Sequence, residues 1–276
     1  MVLDRGYVIR RLTELGIRPS KRLGQSFLVS APPVAAIVDA ARRLEPSIIV
    51  EIGAGLGALT LELARIARVI AVEVDGRLAD ALRKSTADYA EIDVMHADIR
   101  NVELPALIGD GSAVVVGSIP YRITADILRW LVRARGDVDG AVLLTQIEAA
   151  RKILRSPGRD GSALGVFVQA YAETVSILDV GRSCFHPVPE VDSLIWGITW
   201  RDAPAFRVAE ESFFEVVRAL YGARRKMVRS ALRSLGEAER IDAALDSAAI
   251  DPQRRGETLG MEELDRLAAA WASAGG

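Results

Sequence analysis

Five short runs of β-branched and aliphatic residues recur through the first half of the chain, at 48–52 (IIVEI), 69–74 (VIAVEV), 91–95 (EIDVM), 113–117 (AVVVG) and 141–145 (AVLLT), with helical patterns between several of them. Runs of this kind read as strands, and strands that alternate with helices return parallel to one another. The alternation predicts an α/β fold around a mostly parallel, doubly wound sheet. Two later runs, 175–180 (VSILDV) and 194–200 (LIWGITW), are separated by the turn-rich SCFHPVPEVDS, which predicts an antiparallel hairpin at one sheet edge. After Trp200, RDAPAF reads as a connector, and from about Glu210 the pattern is helical to the end. The expected organisation is a domain at 1–203 followed by a small all-helical domain at 204–276.

Composition narrows the class. The 276 residues are 50% hydrophobic and 26% charged, which excludes disordered, collagen-like and disulfide-scaffold chains. One cysteine, Cys184, and two histidines, His96 and His186, supply neither a disulfide nor a zinc cluster, so no metal is expected. The N-terminus is interrupted by Asp4, Arg5, Arg10 and Arg11, and no apolar run approaches the ~18 residues of a membrane span. The expected setting is the cytoplasm, away from membranes.

The chemistry begins at Val50-Glu51-Ile52-Gly53-Ala54-Gly55-Leu56-Gly57, which leaves a strand, passes through alternate glycines and enters a helix. Glycines let a backbone turn sharply and approach a ligand closely. About 20 residues past such a loop, a carboxylate at the end of the next strand accepts the hydroxyls of a ribose, and Glu73 stands there. Asp98, after the third strand, is placed to accept a hydrogen bond from an adenine amino group. The spacing is GxGxG rather than the GxGxxG of a pyrophosphate-binding loop, which favours a nucleoside ligand without phosphate, S-adenosyl-L-methionine, over a nicotinamide dinucleotide. The fourth strand then ends in Ser118-Ile119-Pro120-Tyr121, a proline-fixed turn that sets an aromatic ring beside the same crevice, suited to stack on an extruded base.

With these residues in place, the chain resembles the KsgA-type ribosomal RNA adenine N6-dimethyltransferases. The resemblance extends to Lys21-Arg22-Leu23-Gly24-Gln25-Ser26-Phe27-Leu28, to Gln146-Ile147-Glu148-Ala149-Ala150-Arg151 and to the segment from Phe185 to Ser193 (FHPVPEVDS). Downstream it includes the segments 224–232 (RRKMVRSAL) and 255–259 (RGETL). It implies a Rossmann-like class I methyltransferase with a seven-stranded sheet and a helical C-terminal domain. It also implies N6,N6-dimethylation of two adjacent adenosines in small-subunit rRNA during ribosome biogenesis, by a monomer. By the same resemblance Gln25, Ser26, Leu28, Gly53, Gly55, Glu73, Asp98 and Ser118 would hold the cofactor. Tyr121 and Phe185 would contact the two faces of the target base. Position 118 and the Ile119 carbonyl, fixed by Pro120, would accept the N6 hydrogens. Ser118 stands where the family usually has asparagine, and Ser26 where it has asparagine or histidine; serine's shorter hydroxyl changes the reach. A second reading is therefore an RNA-binding assembly factor that keeps the fold with weak or absent catalysis.

The net charge of −2 is an average over unlike segments: +4 for 1–22, −7 for 23–215, +6 for 216–236 and −5 for 237–276. Arg218, Arg224, Arg225, Lys226, Arg229 and Arg233 form the +6 stretch with no acid among them, and on one continuous helix Arg218, Arg225, Arg229 and Arg233 would share a face. That face is the expected RNA-binding surface.

Overall fold

The computed structural model describes residues 4–109, 111–223 and 225–274, and of Tyr121 the backbone alone. Seven strands form one sheet: β2 (Ile48–Ile52), β3 (Arg68–Glu73), β4 (Ile92–His96), β5 (Ala113–Ser118), β6 (Val138–Gln146), β7 (Ala172–Val180) and β9 (Ser193–Trp200). Their order is β4-β3-β2-β5-β6-β9-β7. The first five pair in parallel, and β9 runs antiparallel to β6 with Leu143 opposite Trp196. The five alternating runs thus give the parallel part of the sheet, and the two late runs close one edge.

The strands are aliphatic on both faces because both faces are covered. Ile49, Val69, Ala71, Val114, Val116 and Val142 share one core with Val34, Ile37 and Ala41 of α2 (Ala31–Arg42). Trp196 is fully buried between strands, and its indole N–H donates to the hydroxyl of buried Thr145 at 3.0 Å, so neither polar group is left unpaired. The connecting helices are α3 (Thr60–Leu63), α4 (Gly76–Ser85), α5 (Pro105–Ile108) and α6 (Thr124–Arg133), with α7 (Ile147–Leu154) after β6. Asp75 caps α4 by accepting from the Arg77 amide. Ahead of the sheet lies α1 (Arg5–Glu14), capped by Asp4. A two-stranded ribbon is separate from the main sheet: β1 (Phe27–Leu28) pairs antiparallel with β8 (Phe185–His186).

The chain divides into two compact units, Met1–Ala150 with Thr174–Trp200, and Arg151–Glu173 with Arg201–Gly276. The expected organisation cuts once, after 203; the second unit also takes in α8 (Ala163–Gln169). The reason is aromatic packing, which a linear reading does not see. Phe167 lies 5.3 Å from Phe214 and Tyr171 5.6 Å from Phe206, between ring centroids, while Phe206 stacks on Phe213 at 4.6 Å. This second unit is otherwise helical: α9 (Glu210–Gly222), α10 (Val228–Ala231), α11 (Ala238–Ser247) and α12 (Met261–Ser273). Buried Asp265 of α12 accepts from the Arg207 backbone N–H at 2.8 Å and from its side-chain Nε at 2.9 Å.

Candidate active site

The strand order reverses between β2 and β5, the position in a doubly wound sheet where a crevice opens at the strand C-termini. Gly53 follows β2 there and Ser118 ends β5, and both line a cavity of about 260 Å³. Gly53 and Gly55 have φ of +74° and +58°, conformations in which a side chain is strained. A Cβ on Gly55 would stand 3.2 Å from the Phe27 ring, a close approach that adds to the strain of its positive φ.

Around the cavity the acids differ in character. Glu73, at the end of β3, is buried; its Oε2 accepts from the Gly55 amide and its Oε1 from the Asp75 amide, each at 2.9 Å. Burial raises its pKa, with the backbone donors acting against that rise. Asp98 caps a turn of 3₁₀ helix, and the Arg100 guanidinium paired with it lowers its pKa. Asp75 is likewise held low by Arg77, and its Oδ2 also accepts from the Gln25 amide at 3.2 Å. A carboxylate's two oxygens offer about four acceptor sites, so Glu73 can take a further donor beside its backbone amides, and Leu56, Val74 and Ile99 add apolar lining to the cavity. A buried carboxylate beside apolar lining fits the nucleoside part of S-adenosylmethionine.

Glu51 carries no role in the sequence reading, yet it lines the same cavity. It is fully buried on β2, accepts from the Thr60 hydroxyl at 2.6 Å, and is pushed up to about 7 by burial first and by the Glu73 charge in addition. The signal was present: an acid inside the strand IIVEI has no apolar reason to be there. Arg22, Arg100, Arg122 and Gln146, to which no sequence pattern gives a site role, also line the cavity.

Segments far apart in sequence are joined at this site. Gln25, Ser26 and Leu28 line the cavity, and the Gln25 side-chain oxygen accepts from the Ser20 amide at 2.8 Å. Ser26 Oγ donates to the Pro187 carbonyl at 2.6 Å, so this hydroxyl ties the N-terminal segment to the FHPVP loop. Phe185, nearly buried, lines the cavity from β8. Gly24 explains the glycine of KRLGQSFL: its φ is +64°, and a Cβ there would lie 3.0 Å from the Pro120 ring. The turn it packs on is fixed on its other side, because the Ile119 amide donates to Leu144 of β6 at 2.9 Å and the Pro120 carbonyl accepts from the Ile123 amide at 3.1 Å. Ser118, Ile119 and Pro120 all face the cavity, and Tyr121 opens the short 3₁₀ turn Tyr121–Ile123. The two histidines sit behind the lining: His96 Nε2 hydrogen-bonds the Val74 carbonyl at 3.2 Å, and His186 pairs with Phe27 in the ribbon.

The model of the ribosomal RNA adenine dimethylase family matches residues 17–269. The chain belongs to the ribosomal RNA adenine dimethylase family. It is 43% identical over 272 residues, 94% of each chain, to the ribosomal RNA small subunit methyltransferase A of Moorella thermoacetica. It is 38% identical to the protein of the same name from Thermobifida fusca, over 94% of this chain and 93% of that one. Among solved structures, the 23S rRNA methyltransferase ErmE is 31% identical with a TM-score of 0.73, covering 89% of this chain and 99% of that one. A dimethyladenosine transferase from Plasmodium falciparum, 22% identical with a TM-score of 0.77 over 90% of this chain and 98% of that one, shares the fold. As a member of this family the protein is an S-adenosylmethionine-dependent rRNA adenine dimethyltransferase with a class I methyltransferase fold, and ribosomal RNA is its substrate. The reading as a non-catalytic assembly factor is not favoured. Among the described residues no helix is long and apolar enough to cross a membrane.

The basic stretch of this dimethylase is built differently from its sequence expectation. Residues 216–236 do not form one helix: α9 ends at Gly222, α10 starts at Val228, and a 3₁₀ turn follows at Leu232–Ser234. The break is held by a second strand of chain, since the Val228 amide donates to the Arg254 carbonyl at 2.7 Å and Met227 forms a bridge with Arg255. Arg218, Arg225, Arg229 and Arg233 therefore do not share one helical face. Nor is the stretch free of acids in space, because Arg229 makes a bidentate pair with Asp242 of α11, Nε to Oδ1 and Nη2 to Oδ2. Arg218, Arg225, Lys226 and Arg233 are exposed; Arg224 lies outside the described residues.

Proposed function

We propose that the protein transfers methyl groups to N6 of two adjacent adenosines of small-subunit (16S-type) rRNA, dimethylating each, during ribosome assembly in the cytoplasm, and that it works as a monomer without a metal. The observation that supports this most is the convergence on one cavity of the Glu73 and Asp98 carboxylates with the Ser118-Ile119-Pro120 turn and the Phe185 ring. The relatives named for the small subunit, which match over nearly their whole length, support the choice of rRNA.

When bound, S-adenosylmethionine supplies a methyl group on a cationic sulfur that is already electrophilic. Adenine N6 is a poor nucleophile, so the chain's work is to hold it in line and exclude water. In this reading Glu73 takes the ribose hydroxyls, Asp98 takes the adenine amino group, Gly53 and Gly55 give way to the nucleoside, and Gln25, Ser26 and Leu28 flank the methionine end. Ser118 and the Ile119 carbonyl accept the two N6 hydrogens, with Pro120 fixing their spacing, while Tyr121 and Phe185 clasp the base. Arg218, Arg224, Arg225, Lys226 and Arg233 meet phosphates, and Arg229 contributes mainly through its pair with Asp242.

The likeness to ErmE, named for 23S rRNA, favours a second substrate, large-subunit rRNA. Incubating the protein with both undermodified subunits and methyl-labelled S-adenosylmethionine separates the two. Label confined to 16S-type rRNA is expected; label mainly in 23S rRNA would replace the first substrate with the second.

A further inference from the structure

One carbonyl-rich loop carries Phe185, and every hydrogen bond described to its carbonyls between 183 and 187 from beyond the loop itself comes from residues 5–29. Arg5, the first helical residue of α1, donates from Nη2 to the carbonyl oxygens of Ser183 at 2.9 Å and Phe185 at 3.1 Å. The Val29 amide donates to the intervening Cys184 carbonyl at 2.8 Å, and Ser26 Oγ to that of Pro187 at 2.6 Å. Two of these anchors belong to the segment around β1 and persist without α1. Among the described hydrogen bonds, those from Arg5 are the ones by which α1 itself reaches the backbone of Phe185.

The same face of α1, on which Val8 and Leu12 follow Arg5 at i+3 and i+7, packs beside the glycine loop. Val8 and Leu12 are buried with Leu78 of α4, and Phe27, Leu56 and Ala58 pack on that cluster. Leu56 and Ala58 belong to the glycine loop, and Phe27 is the ring that stands over Gly55. One face of the helix thus packs its apolar residues beside the glycine loop and, through the Arg5 guanidinium, hydrogen-bonds the loop that carries Phe185. A planar, permanently charged group reaching two carbonyls from one nitrogen is suited to fix a loop's position.

We infer that Arg5 is a positioning residue for methyl transfer, and that α1 is a brace that sets the Phe185 ring relative to the glycine loop. The inference rests on the reading of Phe185 as a contact of the target base. Because β1, Val29 and Ser26 still hold the loop, removing Arg5 lets Phe185 drift without unfolding the site. Small misplacements of a base against an electrophile act on turnover rather than on cofactor affinity.

The test is a double-mutant cycle on kcat with undermodified small subunits, using Arg5→Met, Arg5→Lys, Phe185→Ala and the Arg5→Met/Phe185→Ala pair, with the S-adenosylmethionine Kd measured for each. Arg5→Met is expected to lower kcat by about tenfold with the cofactor Kd within about twofold of the parent, and Arg5→Lys, whose ammonium can still donate to the carbonyls, to restore part of the loss. In the Phe185→Ala background, Arg5→Met is expected to add nothing, because the ring it positions is gone. A full kcat in Arg5→Met beside an impaired Phe185→Ala would overturn the inference while leaving the role of Phe185 standing. An equal Arg5 effect in both backgrounds, or a lost cofactor site in Arg5→Met, would overturn it too, since Arg5 would then act elsewhere. A full kcat in Phe185→Ala would remove the role of Phe185 itself, and the inference with it.

Discussion

Glu51 is the residue whose environment is most at odds with its chemistry. Its carboxyl is buried, holds one hydroxyl donor, and titrates near 7 instead of near 4.5. In the unfolded chain it loses its proton near its ordinary value, whereas the folded protein keeps it to about 7. The native state therefore binds more protons than the unfolded state between those values, and this contribution to stability, full below about pH 4.5, is lost as the pH rises through about 7. At about 1.4 kcal/mol per unit the loss is on the order of 3 kcal/mol. Glu73, also raised, acts in the same direction, while Asp75 and Asp98, held low by their arginines, lose stabilisation only at acid pH. Urea denaturation of Glu51→Gln is expected to show a much wider stability margin over the parent at pH 8 than at pH 5. An equal gap at both values would place the carboxyl's titration outside this window. The chain announces Glu51 only as an odd acid in a strand; its environment comes from Thr60 and Glu73, nine and twenty-two residues away in sequence, and no spacing rule links all three.

Elements divide into those that local pattern decides and those that contacts at long range decide. The strands fall in the first group, because each is a short apolar run set off by turns or helical patterns, and the glycine loop and Ile119-Pro120-Tyr121 turn follow from their ends. The β1–β8 ribbon falls in the second: Phe27 and Leu28 meet His186 and Phe185 across some 160 residues, and two-residue strands leave no periodicity to read. The basic stretch shows the same limit. Its helical pattern is continuous in sequence, but the Arg254 and Arg255 backbone interrupts it at Met227 and Val228, and Asp242 takes Arg229 out of the free positive set. Phosphate contacts are then expected from exposed Arg225 and Lys226 and not from Arg229. Arg225→Ala with Lys226→Ala should lower the slope of log Kd for rRNA against log salt by about two, and Arg229→Ala should leave it unchanged. A slope that falls with Arg229 and not with the pair would reverse that assignment.

Across the whole molecule, near-neutrality conceals a division of labour. The sheet-forming stretch from 23 to 215 carries −7, the acids of the cofactor cavity included, and the positive charge gathers at 1–22 and 216–236. In the proposed reading a few carboxylates hold a compact cofactor of net positive charge and dispersed cations hold an extended polyanionic RNA, so the two ligands call for opposite charge in different places. In the same reading a single adenine must leave its strand and meet the cofactor in that cavity. The most direct measurement is therefore the nucleoside content of undermodified small subunits after reaction, for the parent and for Tyr121→Ala, with cofactor Kd measured on the same preparations. The parent is expected to yield two N6,N6-dimethyladenosines per subunit, and Tyr121→Ala almost none at an unchanged Kd. No dimethyladenosine from the parent despite tight RNA and cofactor binding, or methyl groups on another atom, would contradict the account.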